Sequence, residues 1–242
     1  MSAVLTPPPT LPEDYPNRFA WNLAEYRRLG ELGFLGDRHV MLLDGVIYDK
    51  YPHPRDGGPA PVPVRFSREQ YRRLGELGFF DGRRVELLHG EVVEMSPQGW
   101  PHVVAKSKTA DVLRAVFAGA GWVNEQSPFP TAGSDPEPDV VVAPGRRDDY
   151  MDHPTAALLV VEVADATLDK ETTTKAEMYA TAGIADYWVL DLDGRRLHVF
   201  RDPRPIPDGG AAYRSRTTHG PADAVAPLAA PTAAVRVADL LP

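Results

Sequence analysis

The sequence contains no cysteine, so disulfide scaffolds, thiolate zinc sites and cysteine nucleophiles are excluded. Long apolar runs are also absent: the longest nearly apolar stretch, Ala156–Val163, is far shorter than the ~20 residues of a membrane-spanning helix. Residues 1–17 are rich in proline and lack a basic start followed by an apolar run, so we expect no signal peptide and a cytoplasmic protein. The net charge of −8 argues against a protein that coats nucleic acid, although an enzyme that contacts it locally remains compatible.

Proline is unevenly distributed along the chain. None of the 25 prolines lies in Thr155–Asp202, where uninterrupted strands and helices can therefore form. Tyr51–Val64 combines five prolines with two glycines, which is typical of a semi-rigid linker, and Pro203–Pro231 is a second loose region. We therefore predict three parts: an N-terminal arm and linker (1–62), a main domain (63–203) and a Pro/Ala-rich C-terminal extension (204–242).

Apolar periodicity predicts a mixed sheet flanked by helices, in the α/β or α+β class. Ser67 is a suitable helix N-cap with Gln70 at the capping-box position, and Gly78 ends that helix. The other predicted elements are hairpins over 83–95 and 186–201, helices over 101–119 and 172–181, and strands over 122–126, 139–143 and 157–163.

One segment of the sequence occurs twice. Tyr26–Phe34 is identical, residue by residue, to Tyr71–Phe79, at an offset of 45. Weaker matches continue through the hairpin that follows each copy. Two copies are fewer than the ~3 units that a solenoid needs, so we interpret the repeat as a local duplication of a helix and hairpin.

Acidic residues stand at the ends of predicted apolar strands. Asp139 precedes one strand, Glu162 ends the next, and Lys175 lies on the helix that follows. Such carboxylates can converge at a sheet edge, where two hard oxygen donors completed by water suit Mg²⁺ or Mn²⁺. Glu86 is a third acid in an apolar setting. Any one of these acids could instead end a strand, cap a helix or pair with arginine, but the whole set in this order favours a site.

The motifs around these acids resemble those of a known family. They are 84–97, His102, 126–128, 136–142, 162–168, Lys175, Tyr179, 182–184 and 186–189. Together they resemble the Uma-two family, whose members are assigned as endonucleases from fold and motif, within the restriction-endonuclease-like group with the PD-(D/E)XK signature. The resemblance covers roughly residues 64–203. It implies a central mixed sheet, Asp139 and Glu162 as metal ligands on adjacent strands, Glu86 as an auxiliary acid that also binds the metal, and Lys175 as the catalytic lysine.

The lysine of the signature is displaced in this sequence. Ala164 stands two residues after Glu162, where the standard pattern has lysine. Lys175 shares one helix face with the apolar residues three and four positions after it, so we expect it to point toward Glu162 and expect Lys170 to lie in solvent. The alternative is that Lys175 is a surface lysine paired with Glu171, four residues earlier.

Two further features have alternative interpretations. His102 could belong to the site, because its helix follows the Glu86 hairpin, but a histidine in a first helical turn is more often solvent-facing, and we favour that interpretation. In the first copy of the repeat, Met41 and Val46 occupy the places of Glu86 and Glu91. We therefore expect the first copy to be catalytically inactive, and a chain that begins near Pro63 to keep any cleavage activity.

The favoured function is a metal-dependent endonuclease that hydrolyses phosphodiester bonds, with Mg²⁺ or Mn²⁺ as cofactor and nucleic acid, DNA by expectation, as substrate. The alternatives are a non-catalytic module that binds nucleic acid or protein, and a small-molecule hydrolase with the same metal site. No membrane contact is expected. A homodimer is expected, because two-fold pairing is the commonest assembly and duplex cleavage needs one site per strand.

Overall fold

The computed structural model of the protein describes residues 11–12, 15–50, 61–165, 167–207 and 209–242. These residues form two compact units. The repeat unit comprises the described residues between Leu11 and Ser96 together with Gly133–Asp135, and the sheet unit comprises the described residues of Pro97–Ala132 and Pro136–Pro242. This division differs from the three predicted parts, because both copies of the repeat share one core and the segment Ala211–His219, within the predicted extension, pairs with the main sheet.

The repeat unit contains the same helix and hairpin twice. Its elements are α1 (Leu23–Glu31), β1 (Val40–Leu43), β2 (Val46–Asp49), β3 (Val62–Pro63), α2 (Arg68–Glu76), β4 (Val85–Leu88) and β5 (Glu91–Glu94). Asn22 caps α1 and Ser67 caps α2, each in a capping box, so the predicted Ser67–Gln70 box is confirmed. Both hairpins turn through two residues with positive φ, Asp44-Gly45 and His89-Gly90, as a type I′ turn requires.

The two copies exchange backbone hydrogen bonds. Phe19 N donates to Val92 O at 2.9 Å, and Val64 N, 45 positions later, donates to Ile47 O at 2.7 Å. The segment before each helix therefore forms a backbone hydrogen bond with the hairpin of the other copy. The apolar faces of both copies fill one core. A chain that begins near Pro63 would lose half of that core, which argues against the expectation that the first copy is dispensable. The origin of the repeat by duplication stays a prediction.

The sheet unit contains a six-stranded mixed sheet with helices on it, as predicted. Its elements are α3 (Trp100–Val116), β6 (Gly121–Glu125), β7 (Val140–Pro144), β8 (Leu159–Ala164), α4 (Leu168–Thr172), α5 (Thr174–Thr181), β9 (Asp186–Asp191), β10 (Arg196–Pro205), β11 (Ala211–His219), β12 (Ala224–Val225), β13 (Val235–Arg236) and α6 (Val237–Leu240). The strand order is β11-β10-β9-β8-β7-β6, and of these pairs β8 with β9 is parallel and the others are antiparallel.

Strand β8 lies in the middle of this sheet and is buried along its whole length. Its residues Leu159, Val161 and Val163 pack in the core formed with α3 and α6. Because successive side chains alternate, Val160 and Glu162 project from the opposite face. That face, on which α5 lies, is called the Glu162 face below.

The prediction that Pro203–Pro231 is a loose region is wrong over much of its length. This segment contains the end of β10 and all of β11. Pro203 and Pro205 fit in β10 because β9 pairs only with Arg196–Arg201, so beyond that point these prolines lack a β9 neighbour whose bonds they would break. Among the described residues, no helix is long and apolar enough to cross a membrane.

Candidate active site

Asp139 lies where the β7–β8 ladder ends. The last register pair of this ladder is Val140 with Val161, and one further step sets Asp139 opposite Glu162. Asp139 Oδ2 accepts a hydrogen bond from Val163 N at 2.8 Å. The carboxylate thus takes the place of a backbone acceptor, which fixes it beside Glu162.

Gln98, which lies just before α3, and His102, in the first turn of α3, bind the other oxygen of Asp139. His102 Nε2 lies 2.9 Å from Asp139 Oδ1, and Gln98 Nε2 donates to the same oxygen at 3.3 Å. His102 is only 8% exposed, so the prediction that it faces solvent is wrong. The signal was its spacing: His102, Ala105 and Thr109 form one buried stripe of α3 that packs on the sheet unit.

Glu162 is bound by two residues of α5. Its Oε1 accepts hydrogen bonds from Lys175 Nζ at 2.9 Å and from Tyr179 Oη at 2.8 Å. Lys175 and Tyr179 are four residues apart, so one helix face presents both to the strand. Glu162 is 2% exposed and Lys175 3%, so this contact is a buried, charge-assisted pair.

Lys175 contacts a second acid as well. Its Nζ lies 3.5 Å from Glu171 Oε2, which is the predicted partner four residues earlier. The pair is buried, so the alternative of a surface lysine is wrong, and Lys175 reaches Glu162 and Glu171 together. Lys170 is half-buried in α4, which differs from the expectation that it lies in solvent.

A neutral phenol completes this buried group. Tyr187 Oη donates to the Glu171 carbonyl at 2.9 Å. Burial raises the pKa of Tyr187 well above its usual value, and the carboxylates of Glu171 and Glu162 raise it further, against a smaller opposing effect of Lys175. Tyr187 therefore stays protonated and keeps its donated hydrogen bond to the Glu171 carbonyl.

Glu86 lies in the repeat unit, in the middle of β4, with no exposed surface. Its register partner is Val93 of β5. The structure therefore brings Asp139, Glu162 and Lys175 together within the sheet unit, and the assignment of Glu86 to the same site stays a prediction.

Carboxylates outnumber cations in the sheet-unit group. Glu162 and Glu171 contact the ammonium of Lys175, and Asp139 stands opposite Glu162 in the strand register. Hard carboxylate oxygens in excess of cations are the donor chemistry that Mg²⁺ and Mn²⁺ prefer. Across the described part of the chain, no group of three or more His, Asp or Glu side chains is arranged as a metal site. A site with two carboxylates, completed by water and substrate oxygens, is the arrangement that these residues fit.

The chain matches a family model described as "Uma2: Putative restriction endonuclease" over residues 68–238. It is also similar to the crystal structure of a "putative nuclease belonging to DUF820" from Anabaena variabilis, with a TM-score of 0.51 and 17% sequence identity, covering 64% of this chain and 88% of that one. At this identity the likeness shows the fold alone, a nuclease-like mixed sheet flanked by helices. No curated protein matches the chain. The family model spans well over half of the sequence and bears out the resemblance inferred from the motifs, so the chain belongs to the Uma2 family of restriction-endonuclease-like proteins.

Proposed function

We propose that the protein is a metal-dependent nuclease that hydrolyses phosphodiester bonds with Asp139, Glu162 and Lys175. The observation that carries the proposal is the contact of 2.9 Å between Lys175 Nζ and Glu162 Oε1, beside Asp139 in the strand register. A buried ion pair costs desolvation energy, and apolar residues of similar volume often stabilise a fold equally well. Buried titratable groups that converge at a sheet edge are therefore candidates for function.

Asp139 and Glu162 would hold Mg²⁺ or Mn²⁺, with Glu86 proposed as an auxiliary acid. Mg²⁺ in proteins is commonly bound by one or two carboxylates together with water and substrate phosphates, which matches this donor set. When bound, such a cation lowers the pKa of an attacking water and stabilises charge on the phosphoryl oxygens.

The surrounding side chains hold the two acids in position. Tyr179 and Lys175 fix Glu162 through one oxygen, and His102 and the Val163 amide fix the two oxygens of Asp139. Lys175 has three ammonium protons, so it can keep its bond to Glu162 while it donates to a phosphate oxygen. Charge that develops on the phosphate during hydrolysis would then meet a fixed donor.

A non-catalytic module that binds nucleic acid or protein is the second candidate. The observation that favours it is the near-complete burial of Glu162 and Lys175, which a substrate phosphate has to reach. The net charge of −8 also gives little long-range attraction for nucleic acid.

Cleavage of a mixed panel of single-stranded and duplex DNA and RNA, with Mg²⁺, Mn²⁺ or EDTA, tests the proposed function. We expect cleavage with either metal, no cleavage in EDTA, and a loss of about 100-fold or more in Asp139→Asn. Equal rates in wild type and Asp139→Asn would assign the activity to a contaminant. Metal binding without cleavage of any substrate would favour the non-catalytic module.

The finer parts of the proposal are DNA as substrate, a homodimer and a cytoplasmic location. The dimer is expected because two strands of a duplex need two sites, and two-fold pairing is the commonest assembly. Light scattering at on the order of tens of micromolar distinguishes a dimer from a monomer, and a monomer under those conditions refutes this part.

A further inference from the structure

A groove of about 890 Å³ lies on the sheet unit, away from the contacts of Asp139 and Glu162. It is lined by Trp122 and Asn124 of β6, by Ser127, and by six residues of the segment after β7: Arg147, Asp148, Tyr150, Met151, Asp152 and His153. Strand β6 is at the end of the strand order, so the groove follows an edge of the sheet.

The groove opens on the Glu162 face. Asn124 pairs with Val141, and Val141 pairs with Val160, which lies two residues before Glu162 on the same strand. Directly paired residues, and residues two apart, project from the same face of a sheet. Across two strand spacings, and two to four residues farther along the strands, Asn124 lies roughly 12 Å and Trp122 roughly 16 Å from Glu162. Val141 and Val160, which lie between them on this face, are buried.

An aromatic pair is held rigidly in this groove. The ring centroids of Trp122 and Tyr150 are 5.5 Å apart, with 42° between the planes. Tyr150 Oη donates to the Pro144 carbonyl at 2.5 Å, which fixes its ring beside the sheet. Aromatic side chains that are already ordered lose little entropy when a flat ligand stacks on them.

The charges of the groove favour a base over a phosphate. Among the described residues that line it, one arginine, Arg147, is balanced by two aspartates, Asp148 and Asp152. Such a surface does not collect phosphates by net charge. It offers stacking surface together with the amide of Asn124 and the hydroxyl of Ser127, which is how proteins hold unpaired nucleobases.

Gln126 connects the groove to the candidate active site. Its backbone N donates to the Asp139 carbonyl at 3.3 Å, and its φ of 45° is unusual for a residue that is not glycine. Its side-chain Nε2 is buried and has no hydrogen-bond partner among the residues that the structure describes. A buried donor of this kind can be satisfied by a ligand or by water.

We propose that this groove binds one unpaired nucleobase of the substrate strand, stacked on Trp122 and hydrogen-bonded by Asn124 and Ser127. Gln126 donates its amide to the same strand where the strand approaches Asp139. The proposal rests on the proposed nuclease function for the identity of the strand. The substrate therefore carries at least one unpaired nucleotide near the bond that is cleaved.

Equilibrium binding of a labelled single strand of about 12 nucleotides, and of the same strand in a blunt duplex, tests the groove. The titrations use the full chain in EDTA, so that binding is separated from metal-dependent cleavage. We expect the single strand to bind more tightly than the duplex. Trp122→Leu should weaken single-strand binding about 10-fold or more, the size of one lost stacking contact, and Trp122→Phe should retain most of it. Trp100→Leu, a change at an exposed tryptophan that does not line the groove, is the matched control.

Three results overturn the groove: tighter or equal binding of the duplex, wild-type binding by Trp122→Leu, and an equal loss in Trp100→Leu. If Trp122→Leu does not fold, intrinsic fluorescence of Trp122→Phe carries the test. The single strand should quench wild-type emission and quench the variant less, and unchanged quenching overturns the proposal. If the protein cleaves with metal and Trp122→Leu binds like wild type, the groove proposal is refuted and the nuclease proposal is supported. If binding depends on Trp122 but no cleavage occurs in Mg²⁺ or Mn²⁺, the groove proposal is supported and the nuclease proposal is refuted.

Discussion

Buried acids occur in both units, but they are held differently. In the sheet unit, Glu162 of β8 is bound by Lys175 of α5, and Asp139 stands beside it at the end of another strand. In the repeat unit, Glu86 and Glu91 lie on one face of a single hairpin, and Arg18 binds Glu91 at 2.8 Å. Of the two sheet-unit acids, Asp139 directly precedes β7 and Glu162 lies in β8, and strand pairing brings them side by side. The two repeat-unit acids lie on the same face of one hairpin because side chains alternate between the faces of a strand.

The first copy of the repeat shows that the hairpin forms without the two acids. Hairpin β1–β2 pairs Leu43 with Val46 just as β4–β5 pairs Leu88 with Glu91. Both hairpins turn an apolar face toward the common core. Since the hairpin forms with Met41 in the place of Glu86 and Val46 in the place of Glu91, neither acid is a requirement of this local structure.

The sheet-unit side of the comparison depends most on Lys175. Lys175→Met removes the cation that faces Glu162 and Glu171, so we expect cleavage to fall about 100-fold or more and the free energy of unfolding to fall by about 3 kcal/mol. Cleavage rates and urea unfolding measure the two effects. Lys170→Met, five residues earlier in α4, is the control and should change both far less. Similar behaviour of the two variants contradicts the assignment of Lys175.

The repeat-unit side is sharpened by exchanging its acids for the residues of the first copy. Glu91→Val leaves Arg18 buried without its carboxylate, so we expect the free energy of unfolding to fall by about 2–3 kcal/mol. Glu86→Met should lower it by less than Glu91→Val does, because methionine occupies the corresponding place in β1, which forms the same hairpin. Chemical denaturation compares the two variants. A larger loss in Glu86→Met than in Glu91→Val would mean that Glu86 is structural.

The hairpin turns differ in a titratable residue. Burial, together with Arg65, lowers the pKa of His89 from 6.5 to about 4, whereas the first copy has Asp44 at this position. Between about pH 6.5 and pH 4 the unfolded chain binds a proton that the folded chain does not, so stability falls as the pH falls. We expect a loss of about 2 kcal/mol over this window, allowing for partial exposure of the ring.

His89→Asn isolates that contribution, because asparagine accepts the positive φ of the turn. The difference in unfolding free energy between wild type and His89→Asn should grow in favour of the variant below pH 6.5. A difference that does not vary between pH 7 and pH 4 contradicts the assignment, and His153→Asn, at an exposed loop position, is the control.

The sequence predicted most strands and helices of the sheet unit, because their apolar periodicity is strong and Thr155–Asp202 lacks proline. The same reasoning directed Lys175 toward Glu162, since both lie in regular elements with fixed periodicity. It missed the burial of His102, because a histidine in a first helical turn is more often solvent-facing, although Ala105 and Thr109 continue the same buried stripe of α3. It also missed β11. The proline and glycine around this segment suggested a loose region, whereas pairing with β10 makes the segment a strand.

The most direct test of the central claim is the thermal midpoint of unfolding as a function of Mn²⁺ concentration, in wild type and in Asp139→Asn. A cation held by Asp139 and Glu162 binds only the folded chain, so the wild-type midpoint should rise steadily with Mn²⁺, by an amount equivalent to about 3 kcal/mol at a hundredfold excess over Kd. Asp139→Asn keeps the size of the side chain and removes its charge, so its midpoint should stay constant. An equal rise in both proteins would contradict the assignment of Asp139 as a metal ligand.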